Sequence, residues 1–216
     1  MAIILDDAGG SLSDVEAVIA IGRPVAVAVL PGLAHSSEVA RRAVAAGLEV
    51  LLHLPVEAHS DNEKLGPGAV RVAMSDEDIR STVRAGLASV PGAIGVNNHM
   101  GSRGTADARV MRAILEVVRE RGLLFVDSRT TKDTVAESLA AEMGVPTARR
   151  HVFLDNEDDE EAIRGEVLRL ISLARAQGEA IAIGHAQRLT PRVVARMLDE
   201  FDRQGVRIVP LSVLVR

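Results

Sequence analysis

The stretch ILDDAGG, Ile4–Gly10, sets two adjacent carboxylates, Asp6 and Asp7, directly after a short apolar run and directly before two glycines. In an extended strand, successive side chains point to opposite faces. The two acids can reach one spot only if the strand is ending and the backbone is turning, and Ala8-Gly9-Gly10 supplies such a turn. The same arrangement, an apolar run that stops on polar residues, recurs down the chain.

Short apolar runs alternate with longer amphipathic segments: AIIL, VAVAVL, EVLLHL, AIGV, LLFV, HVFL, EAIAIG and RIVPL. They predict eight strands, separated by seven helices over about residues 13–22, 35–46, 75–89, 105–121, 133–143, 157–177 and 190–204, where apolar residues recur near a 3.6 period. Ser13 with Glu16 fits a capping box, and Thr190 before Pro191 fits a cap followed by proline at the first helical position. Gly47, Gly122, Gly178 and Gly205 stand where a helix should end. Strands apolar along most of their length, each followed by a helix, imply a mostly parallel sheet buried on both faces.

Such a sheet either closes or stays open. A barrel gathers functional groups from the carboxyl ends of many strands, whereas an open sheet gathers them at one crevice. Here nearly every run ends in polar residues: Asp6 and Asp7, His53, Asn97 to His99, Asp127 to Arg129, Asp155 and Asn156, and His185. The expected fold is α/β, a distorted (β/α) barrel of about seven or eight mostly parallel strands, in a single domain over residues 1–216. Residues 55–74 break the compact rhythm with a connection long enough to act as a lid.

Composition narrows the partners. Net charge is −5, and 25 Lys and Arg are dispersed among 30 Asp and Glu without a basic stripe, so nucleic acid is not expected. No apolar stretch approaches the roughly 20 residues that span a bilayer. With no cysteine, any metal must be held by His and carboxylates. The first strand begins at once, with no basic and apolar leader before it, which predicts a cytosolic protein or a chain whose leader has been removed. Tryptophan and tyrosine are absent and Phe occurs only three times, an unusual balance for a groove that stacks sugar rings.

Two carboxylates at a strand end can divide labour, one ligating a cation while the other takes a proton from water. His53, His99 and His185 fall at or just after strand ends, whereas His35, His59 and His151 read as incidental. A carboxylate with two imidazoles suits zinc or another first-row divalent ion that keeps an open position. Glu57, four residues after His53 in HLPVE, is an additional candidate ligand, although Pro55 makes this spacing a turn. Asn97 and Asn98 in GVNNHMGS either hold a carbonyl oxygen as charge develops on it or shape the loop. Asp127 and Arg129 in VDSRTT either orient a catalytic residue or lock two strand ends together, and Asp155 and Asn156 in FLDN carry the same choice. His185 in AIGHA is either a core-edge histidine or a general acid for the leaving group.

Taken in order, ILDDAGG, LLHLPVE, GVNNHMGS, VDSRTT, VFLDN and IGHA resemble the divergent polysaccharide deacetylase family, distantly related to NodB-type carbohydrate esterases, over essentially the whole chain. The resemblance implies metal-dependent removal of acetyl groups from N- or O-acetylated carbohydrate, with a peptidoglycan-like substrate, a divalent metal with zinc foremost, and a periplasmic or extracellular place of work. It implies Asp6 as catalytic base, Asp7 and His53 as metal ligands, and His185 as general acid. Where such deacetylases carry a second histidine four residues on, this sequence has Glu57, so the third ligand is Glu57 or His99. The usual Arg-Pro-Pro-Tyr segment is replaced by Asn97, Asn98, His99 and Met100. That departure keeps two rivals open: a cell-envelope binding or scaffold protein on the deacetylase fold, and a metal hydrolase for a non-sugar, anionic substrate met by Arg129 and Arg103.

Overall fold

The computed structural model describes residues 1–60 and 65–216. In chain order the elements are β1 (Ala2–Ala8), α1 (Leu12–Ile19), β2 (Ala26–Val29), α2 (Ser36–Ala45), β3 (Glu49–Val56), α3 (Asp76–Ser89), β4 (Ala93–Met100), α4 (Ala108–Glu120), β5 (Leu124–Asp127) and α5 (Ala136–Glu142). They continue with β6 (Thr147–Arg149), β7 (Val152–Phe153), α6 (Glu160–Gln177), β8 (Ile181–His185), α7 (Thr190–Arg196) and α8 (Leu198–Arg203). The strands form one sheet in the order β6-β5-β4-β3-β2-β1-β8-β7, and every pairing is parallel.

The two edges of this sheet are successive pieces of one extended run. Residues 147–149 pair with β5 and residues 152–153 pair with β8. A single segment thus leaves one edge and joins the other, curling the sheet into the distorted barrel that the polar strand ends imply.

Alternation along the strands sorts side chains into two layers. Ile3, Leu5, Val27, Val29, Val50 and Leu52 pack outward against the helices in the large core. Ala2, Ile4, Ala26, Ala28, Leu51, Leu124, Val126, Ile181 and Ile183 form a separate inner cluster within the barrel. Gly95 belongs to this crowded inner region, where a Cβ would lie 2.4 Å from Leu124 Cδ1 and 2.7 Å from its carbonyl oxygen.

Several local expectations are corrected. The run RIVPL, residues 207–211, forms no strand. Val209 N donates to the Met1 carbonyl, and Leu211, in a 3-10 turn over Leu211–Val213, is buried in the inner cluster. The chain's last turn therefore plugs the amino end of the barrel. The eighth strand is β6, a short TAR segment lacking an apolar run. The capping box at α1 is built by Ser11 and Asp14, not Ser13 and Glu16. The expected helix over 190–204 divides at Met197 into α7 and α8, and Thr190 turns its hydroxyl to Asp155 instead of capping. The glycine stops stand as read: Gly47, Gly122, Gly178 and Gly205 all have positive φ.

Of the long connection 55–74, residues 61–64 lie outside the described residues, so the expected lid falls partly beyond them. Its flanks are fixed. Val70 pairs with Val56, with Val70 N donating to the Pro55 carbonyl and Glu57 N to the Val70 carbonyl.

Candidate functional site

One register step beyond the inner apolar layer, the strands carry polar side chains. Asp6 pairs in register with His185, and His53 with Asn97. Because Ile4, Leu51 and Ile183 face inward, Asp6, His53 and His185, each two residues further along its strand, face inward too. They form the rim of the barrel interior, with Asn97 and Ser128 beside them.

Asp7 would face outward on a regular strand. Its φ of 61° prevents that, and the β1–β2 register shifts between Leu5 and Ala8. The turn that brings both acids to one place is thus made at Asp7 itself, within the strand, ahead of the glycines that the sequence suggested. Asp7 Oδ1 lies 3.2 Å from His53 Nε2 and 2.9 Å from His99 Nδ1, and those two nitrogens are 3.3 Å apart. The oxygen is buried and, among the described residues, these two imidazole contacts are its partners, neither with hydrogen-bond geometry.

Asp7, His53 and His99 are accordingly the donor set among the described residues that could hold a metal ion. Donor atoms at roughly 2.0–2.1 Å around one tetrahedral ion stand about 3.3 Å apart, close to the spacing here. An orphaned buried carboxylate oxygen facing two imidazole nitrogens fits a divalent cation. Glu57 is engaged elsewhere: Oε1 receives Arg103 Nη1 at 2.6 Å and Oε2 receives Val72 N at 2.6 Å. The geometry therefore assembles His99, not Glu57, with Asp7 and His53.

Asn97 organises two of these groups at once. Its Nδ2 donates to Asp6 Oδ1 at 2.9 Å, which turns its Oδ1 toward His53 Nδ1, also at 2.9 Å. An amide oxygen only accepts, so His53 carries its hydrogen on Nδ1 and presents Nε2 to Asp7. Burial disfavours charge on His53, but Asp6, Asp7 and Asn97 outweigh it and lift its pKa to about 9. Burial pushes the Asp6 pKa up, aided by Asp7 and opposed by His53 and Asn97. For Asp7 burial also acts upward, yet the contacts with His53 and His99 prevail and hold its carboxyl well below the usual range.

On the other side of the acids, His185 Nε2 stands 3.7 Å from Asp7 Oδ2. Its Nδ1 contacts Asp155 Oδ1 at 2.9 Å, while Asp155 Oδ2 receives the backbone N–H of His185 and the Thr190 hydroxyl. This clamp fixes the imidazole with Nε2 toward the acids. Burial lowers the His185 pKa, but the bond and charge of Asp155, with Asp7 and Asp6 behind, raise it overall.

The remaining residues picked out from sequence are engaged differently. Asn98, outward of Asn97, gives Nδ2 to the Met100 carbonyl and takes Ser128 N on Oδ1. Asp127 accepts the backbone N–H of Arg129 and the Thr134 hydroxyl. Both hold strand-end loops in shape. Asn97 Nδ2 is committed to Asp6 Oδ1 and Ser128 Oγ, whereas Asn98 spends one Nδ2 hydrogen on the Met100 carbonyl and lines the cleft described next. Arg129 and Asn156 line a cleft of about 370 Å³ together with Asp6, His53, His99 and His185. Ser128, Arg150 and Phe153 line it too and were not singled out from sequence. Counting two positions on from Val126 would have found Ser128. Arg150 follows the polar β6 and carried no such signal.

A parallel β/α barrel that gathers a carboxylate–imidazole cluster at the carboxyl ends of its strands holds that cluster where such barrels place their functional sites. The chain belongs to the divergent polysaccharide deacetylase family, whose model matches residues 3–215. It is 38% identical over 198 residues to the uncharacterized protein YibQ of Escherichia coli K12, covering 92% of this chain but 62% of YibQ. A crystal structure of the uncharacterized protein ATU2773 from Agrobacterium tumefaciens superimposes with a TM-score of 0.92 at 24% identity, covering 99% of this chain and 88% of that one. The catalytic domain of a peptidoglycan N-acetylglucosamine deacetylase from Eubacterium rectale shares the fold at a TM-score of 0.58 and 10% identity, with 97% and 87% covered.

Proposed function

We propose that the protein is a metal-dependent hydrolase that removes acetyl groups from N- or O-acetylated cell-wall carbohydrate in the periplasm or at the cell surface, with zinc held by Asp7, His53 and His99. The observation that supports this reading is the buried Asp7 Oδ1, without a hydrogen bond among the described residues, facing two imidazole nitrogens at metal-donor spacing. Family membership and the shared fold of a peptidoglycan deacetylase support the choice of substrate.

A divalent cation in this position supplies Lewis acidity toward the acetyl carbonyl and makes a water more acidic at neutral pH. Asp6, raised in basicity by burial, receives the proton that the attacking water loses. His185, whose pKa Asp155 raises against burial and whose ring it orients, delivers a proton to the departing amine or alcohol. Asn97 keeps Asp6 and His53 in register with each other, so base and ligand move as one unit.

Binding without turnover is the second reading, favoured by the scarcity of rings in the cleft, where Phe153 is the aromatic residue among the described lining. Metal content and acetate release from peptidoglycan and chitin fragments separate the two. On the hydrolase reading, Asp7→Ala loses both metal and acetate release, whereas Asp6→Asn keeps the metal and loses turnover. Full acetate release by either variant overturns it.

A further inference from the structure

Asp6 and the histidines share the cleft with two cations, Arg129 and Arg150. Neither guanidinium makes an ion pair among the described residues, although neighbouring arginines do: Arg103 with Glu57, Arg109 with Asp76, and Arg149 with Glu137.

Arg150 is also held rigidly. Its Nε donates to the Ser128 carbonyl at 2.6 Å and its Nη2 to the Arg129 carbonyl at 2.8 Å. The guanidinium stacks 4.9 Å over the Phe153 ring. Carbonyls and a ring fix its orientation without neutralising its charge, and they leave Nη1 uncommitted. Burial lowers its pKa, with Asp6 and Asp127 acting in the opposite direction and Arg129 reinforcing it. Arg129 sits beside it at φ 49°, a conformation that costs energy for a residue with a side chain and persists where the surroundings impose it.

Phe153 touches both groups: the Arg150 guanidinium lies 4.9 Å from its ring centroid, and the His185 ring meets it in a T-shaped contact with centroids 5.4 Å apart. One ring thus links the fixed guanidinium to the imidazole assigned to the leaving group. We propose that Arg150 and Arg129 form an anion-binding subsite, so that the preferred substrate is an acetylated amino sugar bearing a carboxylate or phosphate on the same or the adjoining ring. This rests on the deacetylase reading for where the acetyl group lies. A planar guanidinium with a free edge recognises either oxyanion, and an uncharged chain would leave it unpaired.

Calorimetry on the zinc-loaded Asp6→Asn protein, which on the deacetylase reading binds without turnover, tests the subsite with three probes: a chitin tetramer, a muramic-acid-containing tetrasaccharide with its lactyl carboxylate, and a 6-phosphorylated chitin oligomer, with acetate release followed separately on the parent protein. At least one anionic probe is expected to bind 10-fold or more tightly than the neutral chain, and which one does so identifies the group. Arg150→Gln and Arg129→Gln are each expected to cut that ratio several-fold. Arg129→Gln guards against misfolding, because its side chain makes no hydrogen bond among the described residues. Equal affinities, a ratio unchanged in both variants, or no binding by any probe overturns the subsite. A retained anionic preference with no acetate released from any probe leaves the subsite standing and overturns the deacetylase reading.

Discussion

At Asp7 two costs coincide. The backbone sits at φ 61° in a strand, and a buried carboxylate oxygen lacks a hydrogen bond. Each is worth about 1–3 kcal/mol, and both are relieved of their oddity if the residue exists to hold a cation. Asn97 extends the argument to the surrounding residues. Asn97→Leu keeps the volume but strips the acceptor from His53 Nδ1 and the donor from Asp6, so zinc affinity should fall about 10–100-fold in a competitive chelator titration. Asp155 offers a test by pH. Burial acts to raise its pKa, but the bonds from His185 and Thr190 prevail and depress it. A depressed folded pKa contributes stability that is present above the unfolded value and lost as pH falls through the folded one. Asp155→Asn should therefore unfold at lower urea than the parent at pH 7, by about 2 kcal/mol, with the gap narrowing as both are acidified below pH 4.

The strand ends do the assembling at the scale of elements. Three non-glycine residues with positive φ, Asp7, Met100 and Arg129, fall at the carboxyl ends of β1, β4 and β5, which converge on the cleft. A strand's interior is legible from alternation alone, and that is why Asp6, His53 and His185 could be placed before the fold was known. The left-handed kink at Asp7 left no trace in residue type, since aspartate carries no glycine-like mark, so the turn was assigned to Gly9 and Gly10. Asn97 and Asn98 look equivalent in sequence, yet Asn97 bonds Asp6 and His53 while Asn98 braces the Met100 and Ser128 backbone at the wall of the cleft. Glu57 fitted the ligand spacing in number but not in direction, because Pro55 and the pairing with Arg103 turn it away. Strand approach is equally demanding between β4 and β5. Gly95→Ala pushes a methyl against Leu124, and should cost about 1–3 kcal/mol in urea unfolding while weakening zinc binding through the displaced Asn97.

Over the whole molecule, the barrel was readable because its polar groups are shared among many strands. Its closure was not. The closing run, residues 147–153, is short and largely polar, with Thr147, Arg149, Arg150 and His151 in it, so no apolar pattern announced β6. The RIVPL run reads as a strand because its composition is that of one, and its partner turned out to be the barrel's open amino end. Leu211 fills that end at 0% exposure. Leu211→Ala should lower stability by about 2–5 kcal/mol in denaturant titration, with zinc affinity per folded molecule preserved because the plug lies at the opposite end from the site.

If Asp7, His53 and His99 together hold a divalent ion at the carboxyl end of the barrel, anomalous scattering at the zinc edge from crystals grown with zinc will locate it. The expected result is a peak in contact with Asp7 Oδ1, His53 Nε2 and His99 Nδ1 that disappears in Asp7→Ala. No peak at that position, or a peak whose ligands include Glu57 in place of His99, contradicts that ligand set.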